Sequence, residues 1–337
     1  MFLEGLWFYL WGLLWAMYFV TDGFDLGVGM LLPFLGKDEI SKRTLYNATG
    51  PLWDGNEVWL ITAGGVTFAA FPKTYAVMFS SFYTALTLLL VALMIRGLSF
   101  EFRSKADGPG WKKACDVCQF LGSGLTALLI GVAFANIFRG LPIEDGIFKG
   151  GFLSLLNPYG IAGGLFFITV FLLHGALWLV LKTEGVLYDK ARRAASGLWI
   201  AVLLVTVVFL AYSYIETKLY ANYFARPGLF ILPIAAVVAL LMCRFYMSKK
   251  FDWKAWFASA VFIIAATFFC ITGLYPNMLP SRIDPVHSIT AHNAASTPLT
   301  LTVMLVVVII FIPLVLAYQI WAFHLFREKI DQEEFIY

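Results

Sequence analysis

Residues 51–59 read PLWDGNEVW, a segment that places Asp54, Asn56 and Glu57 between two tryptophans, at the start of an apolar run that lasts to Phe71. In a soluble protein this pattern is typical of an ordinary helix with a polar cap. Here 61% of the 337 residues are hydrophobic and 13% are charged. That composition predicts a polytopic membrane protein. A carboxylate in a bilayer costs roughly 2.5 kcal/mol or more unless it is paired, protonated or hydrated, so both acids are candidate functional residues.

The remaining composition excludes several function classes. The net charge is +3 and the basic residues lie in separate loops, so the sequence predicts no nucleic-acid partner. Cys115 and Cys118 form one C-x-x-C motif, without the second pair or the nearby histidines that a zinc site requires. We expect free, structural thiols and no disulfide framework. The first apolar run has no basic residue before it and is too long for a signal peptide, so we expect it to remain as the first span.

A membrane span needs about 20 mostly apolar residues. This rule predicts an all-α, polytopic bundle in a single domain that covers residues 1–337. The nine predicted spans are residues 6–33, 53–71, 75–95, 117–138, 160–181, 194–215, 228–247, 254–275 and 298–325. Because few residues separate the second and third spans, we expect these two to form a tight antiparallel hairpin.

The basic residues predict the orientation of the bundle. Most of the 24 Lys and Arg residues follow the odd-numbered spans. Cytoplasmic loops carry an excess of Lys and Arg, which places the N-terminus outside and the tail from Arg327 to Tyr337 in the cytoplasm. The sequence therefore predicts an inner-membrane type of helical bundle.

In this arrangement, two pairs of acids lie at the same depth in the membrane. Asp22 and Asp25 are three residues apart in the first span and share a helix face. With a rise of 1.5 Å per residue from Leu6, Asp22 lies about 24 Å along the helix, in the cytoplasmic half of a core about 30 Å thick. Asp54 and Glu57 enter the membrane from the cytoplasmic side. We therefore expect the four carboxylates to collect in the inner half of the membrane.

Each pair also has a structural interpretation. Asp22 would cap a kinked helix, and Asp25 would pair with Lys42 or Arg43 in the following loop. Asp54 would be the N-cap of its helix at the membrane surface. Glycines in the first two spans are expected to let the backbones of those spans approach closely.

Two functions suit a carboxylate cluster in a membrane. Proton passage uses titratable groups and trapped water in sequence, whereas a transporter uses carboxylates to coordinate a cation or couple to protons. The spans lack the matched glycine or proline breaks that many secondary transporters show. A third interpretation is a scaffold whose acids only pair with a partner.

The four histidines bear on haem binding. Axial ligands in a bundle come from facing helices, and only His174, in the fifth span, is placed deep enough. A lone membrane histidine is more often a hydrogen-bonded packing residue. We therefore expect this chain to ligate no haem.

Residues 20–30, VTDGFDLGVGM, and residues 53–65, WDGNEVWLITAGG, together closely resemble subunit II of the cytochrome bd quinol oxidases. The likeness runs through nearly the whole chain. It includes residues 68–72, 96–105, 131–136, 155–158 and 299–304.

The resemblance implies a heterodimer in a bacterial or archaeal cytoplasmic membrane. Subunit I of that family carries haem b and haem d and oxidises quinol, while subunit II is a nine-span partner without haem ligands. The complex reduces dioxygen to water with cytoplasmic protons. Some members hold a quinone in subunit II, and lipid and small accessory subunits are further candidate partners.

The resemblance also assigns a role to one residue. Asp54 occupies the position of a family aspartate on a proton path. We expect Asp54 to carry protons first, then Glu57, Asp25 and Asp22. No catalytic residue and no metal site are expected in this chain.

Overall fold

Helices dominate the computed structural model, which describes residues 2–330. In chain order they are α1 (Phe2–Leu35), α2 (Glu39–Thr49), α3 (Trp53–Ala70), α4 (Pro72–Ser81), α5 (Tyr83–Phe102), α6 (Pro109–Arg139), α7 (Phe152–Leu155), α8 (Pro158–Lys182), α9 (Gly185–Glu216), α10 (Ala221–Ala225), α11 (Ile231–Ser248), α12 (Asp252–Leu274) and α13 (Pro298–Leu325). Four short strands form two antiparallel pairs, β1 (Ile143–Glu144) with β2 (Ile147–Phe148) and β3 (Asn277–Leu279) with β4 (Ile289–Thr290).

The helices confirm the predicted all-α membrane class. Within the described residues, eight helices are long and apolar enough to cross a membrane. The second predicted span corresponds to α3, which has 18 residues and is not one of the eight. The orientation of the termini and the single domain stay predictions, and residues 331–337 of the predicted tail lie outside the described residues.

The predicted start of the third span, at residue 75, is wrong. The ten-residue helix α4 lies between α3 and α5 and ends before Phe82. Ser80 and Ser81 donate to the carbonyls of the residues four positions earlier, a local bond that competes with regular helix geometry. The short hairpin that we expected between the second and third spans is therefore replaced by a helix with a break at each end.

Proline and short polar side chains set several helix starts. Proline stands at the first position of four long or medium helices, where its missing N–H costs nothing. These residues are Pro72, Pro109, Pro158 and Pro298. Asn157 caps α8 by accepting a hydrogen bond from the Gly160 amide at 2.9 Å, as N-cap residues commonly do.

The first helix is the centre of the bundle. It packs against α3, α6, α8 and α12, while α9 and α11 lie further out. The backbones of α1 and α8 touch at Gly27 and Gly175, where a side chain at Gly27 would collide with the carbonyl oxygen of Phe171. Small residues at such a contact let two membrane helices approach closely.

The last helix, α13, lies at the edge of the bundle. Of its residues, all of which the structure describes, Leu301 alone is buried. The indole of Trp7 on α1 donates to the Leu301 carbonyl at 3.1 Å.

The glycines of α3 do not make the predicted close contact with α1. A side chain added at Gly64 or Gly65 would meet no described atom within 4 Å. Both glycines line a cavity of about 860 Å³ that lies mainly between α3, α4 and α5 and is walled mostly by apolar and aromatic side chains.

Candidate functional site

Two of the four predicted acids contact one arginine, and a third lies on the next turn of the same helix face. Arg96 of α5 binds Asp22 of α1 through two bonds, Nη2 to Oδ1 at 2.6 Å and Nη1 to Oδ2 at 3.2 Å. Its Nη1 also lies 3.4 Å from Oε2 of Glu57 on α3. The side chains of Arg96 and Asp22 are 0% exposed and that of Glu57 is 20% exposed. We call Asp22, Asp25, Asn56, Glu57 and Arg96 the Arg96 cluster.

Local packing explains how Arg96 reaches this position. The helix α5 continues to Phe102, so Arg96 lies inside it. The ring of Trp53, at the start of α3, stacks on Phe100 with centroids 5.3 Å apart and an interplanar angle of 3°. This contact joins the first turn of α3 to the last turns of α5 and so brings Glu57 beside Arg96.

Sequence reasoning missed Arg96 as a site residue. We placed the end of the third span at residue 95, which left Arg96 outside the membrane. A basic residue within an apolar run was the available signal, since charges inside membrane helices are rare and are usually paired.

Asp25 belongs to a different chain of hydrogen bonds. Its Oδ2 accepts from the amide of Asn56 at 2.7 Å, while its Oδ1 has no partner among residues 2–330. The Asn56 oxygen lies 3.3 Å from the amide nitrogen of Gln319 on α13. The Gln319 oxygen accepts from the indole of Trp59 at 3.0 Å. These bonds link α1, α3 and α13, and Gln319 was not predicted although it is a polar residue in an apolar helix.

The two aspartates of the cluster differ in the charge of the side chain to which each is bonded. Asp22 and Asp25 are both completely buried, and Arg96 makes its two short bonds to Asp22. A bidentate arginine–carboxylate pair fixes both the geometry and the charge of its partners. Asp25 has an amide as its partner and must be protonated or hydrated to lie in lipid. Asp22 is thus one half of a fixed charge pair, whereas Asp25 has one carboxylate oxygen without a partner among residues 2–330.

The fourth predicted acid lies apart from the cluster. Asp54 is in the first turn of α3 and its side chain is exposed. The N-cap of α3 is Leu52, so the interpretation of Asp54 as an N-cap is wrong. Val58 and Ile61 follow on the same outward face and are 49% and 70% exposed. An acid on this apolar face is suited to contact with a partner.

The alternative roles of the α1 acids are also wrong. Asp22 lies within the continuous helix α1 and pairs with Arg96 rather than capping a break. Asp25 bonds to Asn56, and Lys42 instead pairs with Asp116 at 2.8 Å.

His174 has the contacts of a packing residue. Its Nδ1 lies 2.7 Å from Oγ of Ser259, and its Nε2 lies 3.1 Å from the carbonyl oxygen of Val20. The ring stacks on Trp256 with centroids 5.1 Å apart. Since both ring nitrogens are engaged, this histidine does not fit the role of an axial haem ligand.

The remaining histidines lie at the ends of the bundle. His287 is 3.3 Å from a carboxylate oxygen of Asp145, and His292 is 2.5 Å from one of Glu4. Within the described part of the chain, no group of three or more His, Cys, Asp or Glu side chains is placed to hold a metal ion. The cysteines of that part are free.

Comparison with known proteins gives a consistent result along the whole chain. Residues 3–326 match the family model described as cytochrome bd terminal oxidase subunit II. The chain is 36% identical to a probable cytochrome oxidase subunit 2 of Haemophilus influenzae, over 98% of this chain and 96% of the relative. It is 35% identical to the cytochrome bd ubiquinol oxidase subunit 2 of Bacillus subtilis, over 98% of both chains.

A solved structure has the same fold. It is that of the bd oxidase from Geobacillus thermodenitrificans, with a TM-score of 0.80 over 97% of this chain and 99% of the solved chain. The identity is 16%, so this likeness establishes the helical architecture alone.

Proposed function

The chain belongs to the cytochrome bd terminal oxidase subunit II family, and we propose that it conducts protons to the reaction of that oxidase. As a subunit of a quinol:oxygen oxidoreductase, it works in a complex that contains haem and a subunit I. The reduction of dioxygen to water consumes protons, which must enter the membrane from an aqueous phase. This chain's share of the chemistry is to hold and move those protons.

The proposal rests on three acids that are progressively more buried. Asp54 is exposed, Glu57 is 20% exposed and Asp25 is completely buried. Asp54 collects a proton at the cytoplasmic side, Glu57 receives it one turn deeper, and Asp25 holds it within the bundle. Asp22 belongs to the same path as the counter-ion of Arg96, and their fixed pair sets the field in which the proton moves.

The haem groups are assigned to subunit I. The engagement of both His174 nitrogens supports this assignment, because no ring nitrogen at that depth is directed at a cofactor. Haem b and haem d supply the electron transfer and oxygen chemistry when bound in subunit I. This chain stabilises subunit I by helix packing in the membrane, through the outward face of α3 and the exposed length of α13.

Further partners follow from the same assignment. The complex lies in the cytoplasmic membrane and takes electrons from quinol. The cavity of about 860 Å³ between α3, α4 and α5 has the apolar lining that a quinone or a lipid tail requires. Small accessory subunits would bind at the remaining exposed helices. The proton- or cation-coupled transporter is set aside, because family membership makes the chain an oxidase subunit.

The test replaces single acids by amides in the assembled oxidase. Asp54→Asn and Asp25→Asn keep size and hydrogen bonding while removing the titratable group. We expect each variant to retain its haem spectrum and to lose oxygen consumption and proton uptake, Asp25→Asn by about 10²-fold, the lower range for a lost proton-transfer group, and Asp54→Asn by a smaller factor. Asp107→Asn is the matched control, since Asp107 is a fully exposed acid of the loop between α5 and α6.

Each outcome has a distinct meaning. Wild-type oxygen consumption and proton uptake in a haem-replete Asp54→Asn complex would show that Asp54 is no conduit. Loss of haem from that variant would point to the scaffold interpretation, in which the acid serves assembly.

A further inference from the structure

Five completely buried polar side chains near the Arg96 cluster each have an unpartnered atom. Among residues 2–330 no hydrogen-bond partner exists for these atoms. They are Oη of Tyr18, Oδ1 of Asp25, Nε of Arg96, Oγ of Ser123 and Oγ1 of Thr126. Each residue is 0% exposed. Buried polar atoms in proteins are nearly always bonded, so a group of five in one region requires an explanation.

The first of the two facing surfaces belongs to α1. Tyr18, Asp22 and Asp25 follow one another at spacings of four and three residues, which places them on one helix face. Gly29 continues that face by one more turn. A side chain at Gly29 would collide with Oγ of Ser123 and would lie 3.1 Å from the amide nitrogen of Gln119.

The second surface belongs to α6 and extends to α5. Gln119, Ser123 and Thr126 share a face of α6 by the same spacing. A side chain at Gly122 would lie 2.9 Å from Cβ of Arg96, and Ser99 donates to the Gln119 oxygen at 2.5 Å. The helices α1, α5 and α6 therefore enclose one polar seam, which we define by Tyr18, Asp25, Arg96, Ser123 and Thr126.

Five of the ten buried side-chain atoms that have no partner among residues 2–330 belong to the seam. Several buried helical hydroxyls elsewhere donate to the carbonyl four residues back, as in Thr67 at 2.7 Å, Ser81 at 2.7 Å and Ser213 at 2.7 Å, whereas the hydroxyl oxygens of Thr49 and Thr206 are single unpartnered atoms outside the seam. Ser123 and Thr126 make no such bond among the described residues. Their hydroxyl oxygens therefore have bonding capacity that the described chain does not use.

We propose that this seam binds a file of ordered water molecules. The unpartnered atoms comprise a donor in Arg96, an acceptor in Asp25 and three hydroxyls that both donate and accept. Water matches this mixed set, because it donates and accepts and commonly makes about three bonds to buried polar groups. A metal ion does not match it, since a guanidinium donor would face the cation.

The water file gives Asp25 a second proton supply, an inference that rests on the proposed function. Gln119 and Ser99 lie at the end of the seam nearer the loop between α5 and α6, which the basic residues place in the cytoplasm. Protons passing from water to water along the seam reach the free oxygen of Asp25 without crossing Glu57. Each water accepts one proton and releases one, so the file itself is unchanged. Ser123 and Thr126 are positioning residues for this water.

A direct test is a cryo-EM map of the purified oxidase in which ordered water is visible elsewhere in the complex. We expect density within hydrogen-bonding distance, about 2.7–3.2 Å, of Ser123 Oγ, Thr126 Oγ1 and Tyr18 Oη. A seam without such density in that map, or side chains that pair with one another directly, would overturn the proposal.

A shape-matched variant tests the proton supply. Thr126→Val removes the hydroxyl and keeps the volume; Ser123→Ala is the second variant if Thr126→Val fails to assemble. We expect the loss of the neighbouring water density and slower proton uptake, with an unchanged haem spectrum. Thr302→Val on the exposed face of α13 is the control, because that hydroxyl donates to the Pro298 carbonyl at 2.8 Å.

The outcomes separate this inference from the Asp54 path. If Asp54→Asn shows wild-type proton uptake while Thr126→Val loses the water density and proton uptake, the proposed path through Asp54 is wrong and the proposed water file in the seam is supported. If Thr126→Val and Ser123→Ala both keep wild-type proton uptake, the seam is no proton supply and the inference fails.

Discussion

The Arg96 cluster and the surroundings of His174 are two buried regions that flank the same helix, and they differ in how completely their titratable groups are bonded. Both ring nitrogens of His174 lie within hydrogen-bonding distance of a protein oxygen. In the Arg96 cluster, Oδ1 of Asp25 and Nε of Arg96 have no partner among residues 2–330. The titratable group of the first region is thus bonded at both polar atoms, although Nε1 of the neighbouring Trp256 has no partner among residues 2–330, whereas two ionisable groups of the second region each have an unpartnered atom.

The neighbours of the two regions differ in the same way. His174 lies among aromatic rings, with Trp256 stacked on it and Phe24 stacked on Trp178 at a centroid distance of 4.3 Å. Arg96 lies between the carboxylates of Asp22 and Glu57. A fully bonded polar group stabilises one packing arrangement, whereas a partly bonded buried group is costly unless a further partner such as water satisfies it. The predictions below test this distinction.

The largest expected effect is that of Arg96→Met. This change leaves the Asp22 carboxylate buried without its cation, and breaking a buried pair by removing one partner costs about 3–5 kcal/mol. We expect the oxidase to assemble poorly and to unfold at a markedly lower temperature. The measurements are the thermal midpoint of the purified complex and the amount of complex obtained from a given amount of membrane.

A double variant provides the control for this prediction. Asp22→Asn combined with Arg96→Met removes both charges, and removing both members of a buried pair is often nearly neutral. We expect most of the lost stability to return. Equal instability of the single and double variants would mean that Arg96 acts through its packing and not through its charge.

His174→Phe has a smaller expected effect. It retains a ring and removes two hydrogen bonds, at a cost of about 1–3 kcal/mol. We expect a lower thermal midpoint with haem absorption bands and oxygen consumption unchanged. A shifted or missing haem band would indicate that His174 contacts a cofactor. The proposed difference between the two regions would then be wrong.

Local chemistry explains why much of the fold was predictable. Composition indicates the membrane class, and the helices that begin at Pro158 and Pro298 start within two residues of a predicted span. The break at Phe82 was missed because residues 75–95 read as one apolar run. That break depends on how α3, α4 and α5 pack around a cavity, which is a tertiary effect.

The site was predictable to a different degree. Asp22, Asp25 and Glu57 were found because an acid in an apolar run is conspicuous, and the structure brings all three near Arg96. Arg96 was missed because it follows a predicted span end by one residue. Ser123 and Thr126 carry no sequence signal, since hydroxyls in membrane helices usually bond to their own backbone.

The smallest expected effect concerns Arg103, which lies two turns beyond Arg96 and, although its own side chain is only 5% exposed, pairs with a partly exposed acid. Its guanidinium binds Glu39 of α2 through bonds of 2.9 and 3.0 Å, and the Glu39 side chain is 46% exposed. The hydrogen bonds from Arg103 hold the pKa of Glu39 below its ordinary value of 4.5. Because the folded pKa is the lower one, this pair stabilises the protein above the ordinary value and the contribution is lost as the pH falls through the folded pKa.

Solvent limits that contribution to about 0.2–1 kcal/mol, far below the effect of Arg96→Met. Thermal midpoints measured from pH 7 down to pH 3 should fall slightly more for the wild type than for Glu39→Gln, which has no group to titrate at this position. Glu101→Gln, an exposed acid of α5, should behave as wild type. If Glu39→Gln were as damaging as Arg96→Met, the burial of the acid partner, 0% exposed for Asp22 and 46% for Glu39, would not be what separates the two arginine pairs, and the weight given to the unpartnered atoms around Asp25 would have to be withdrawn.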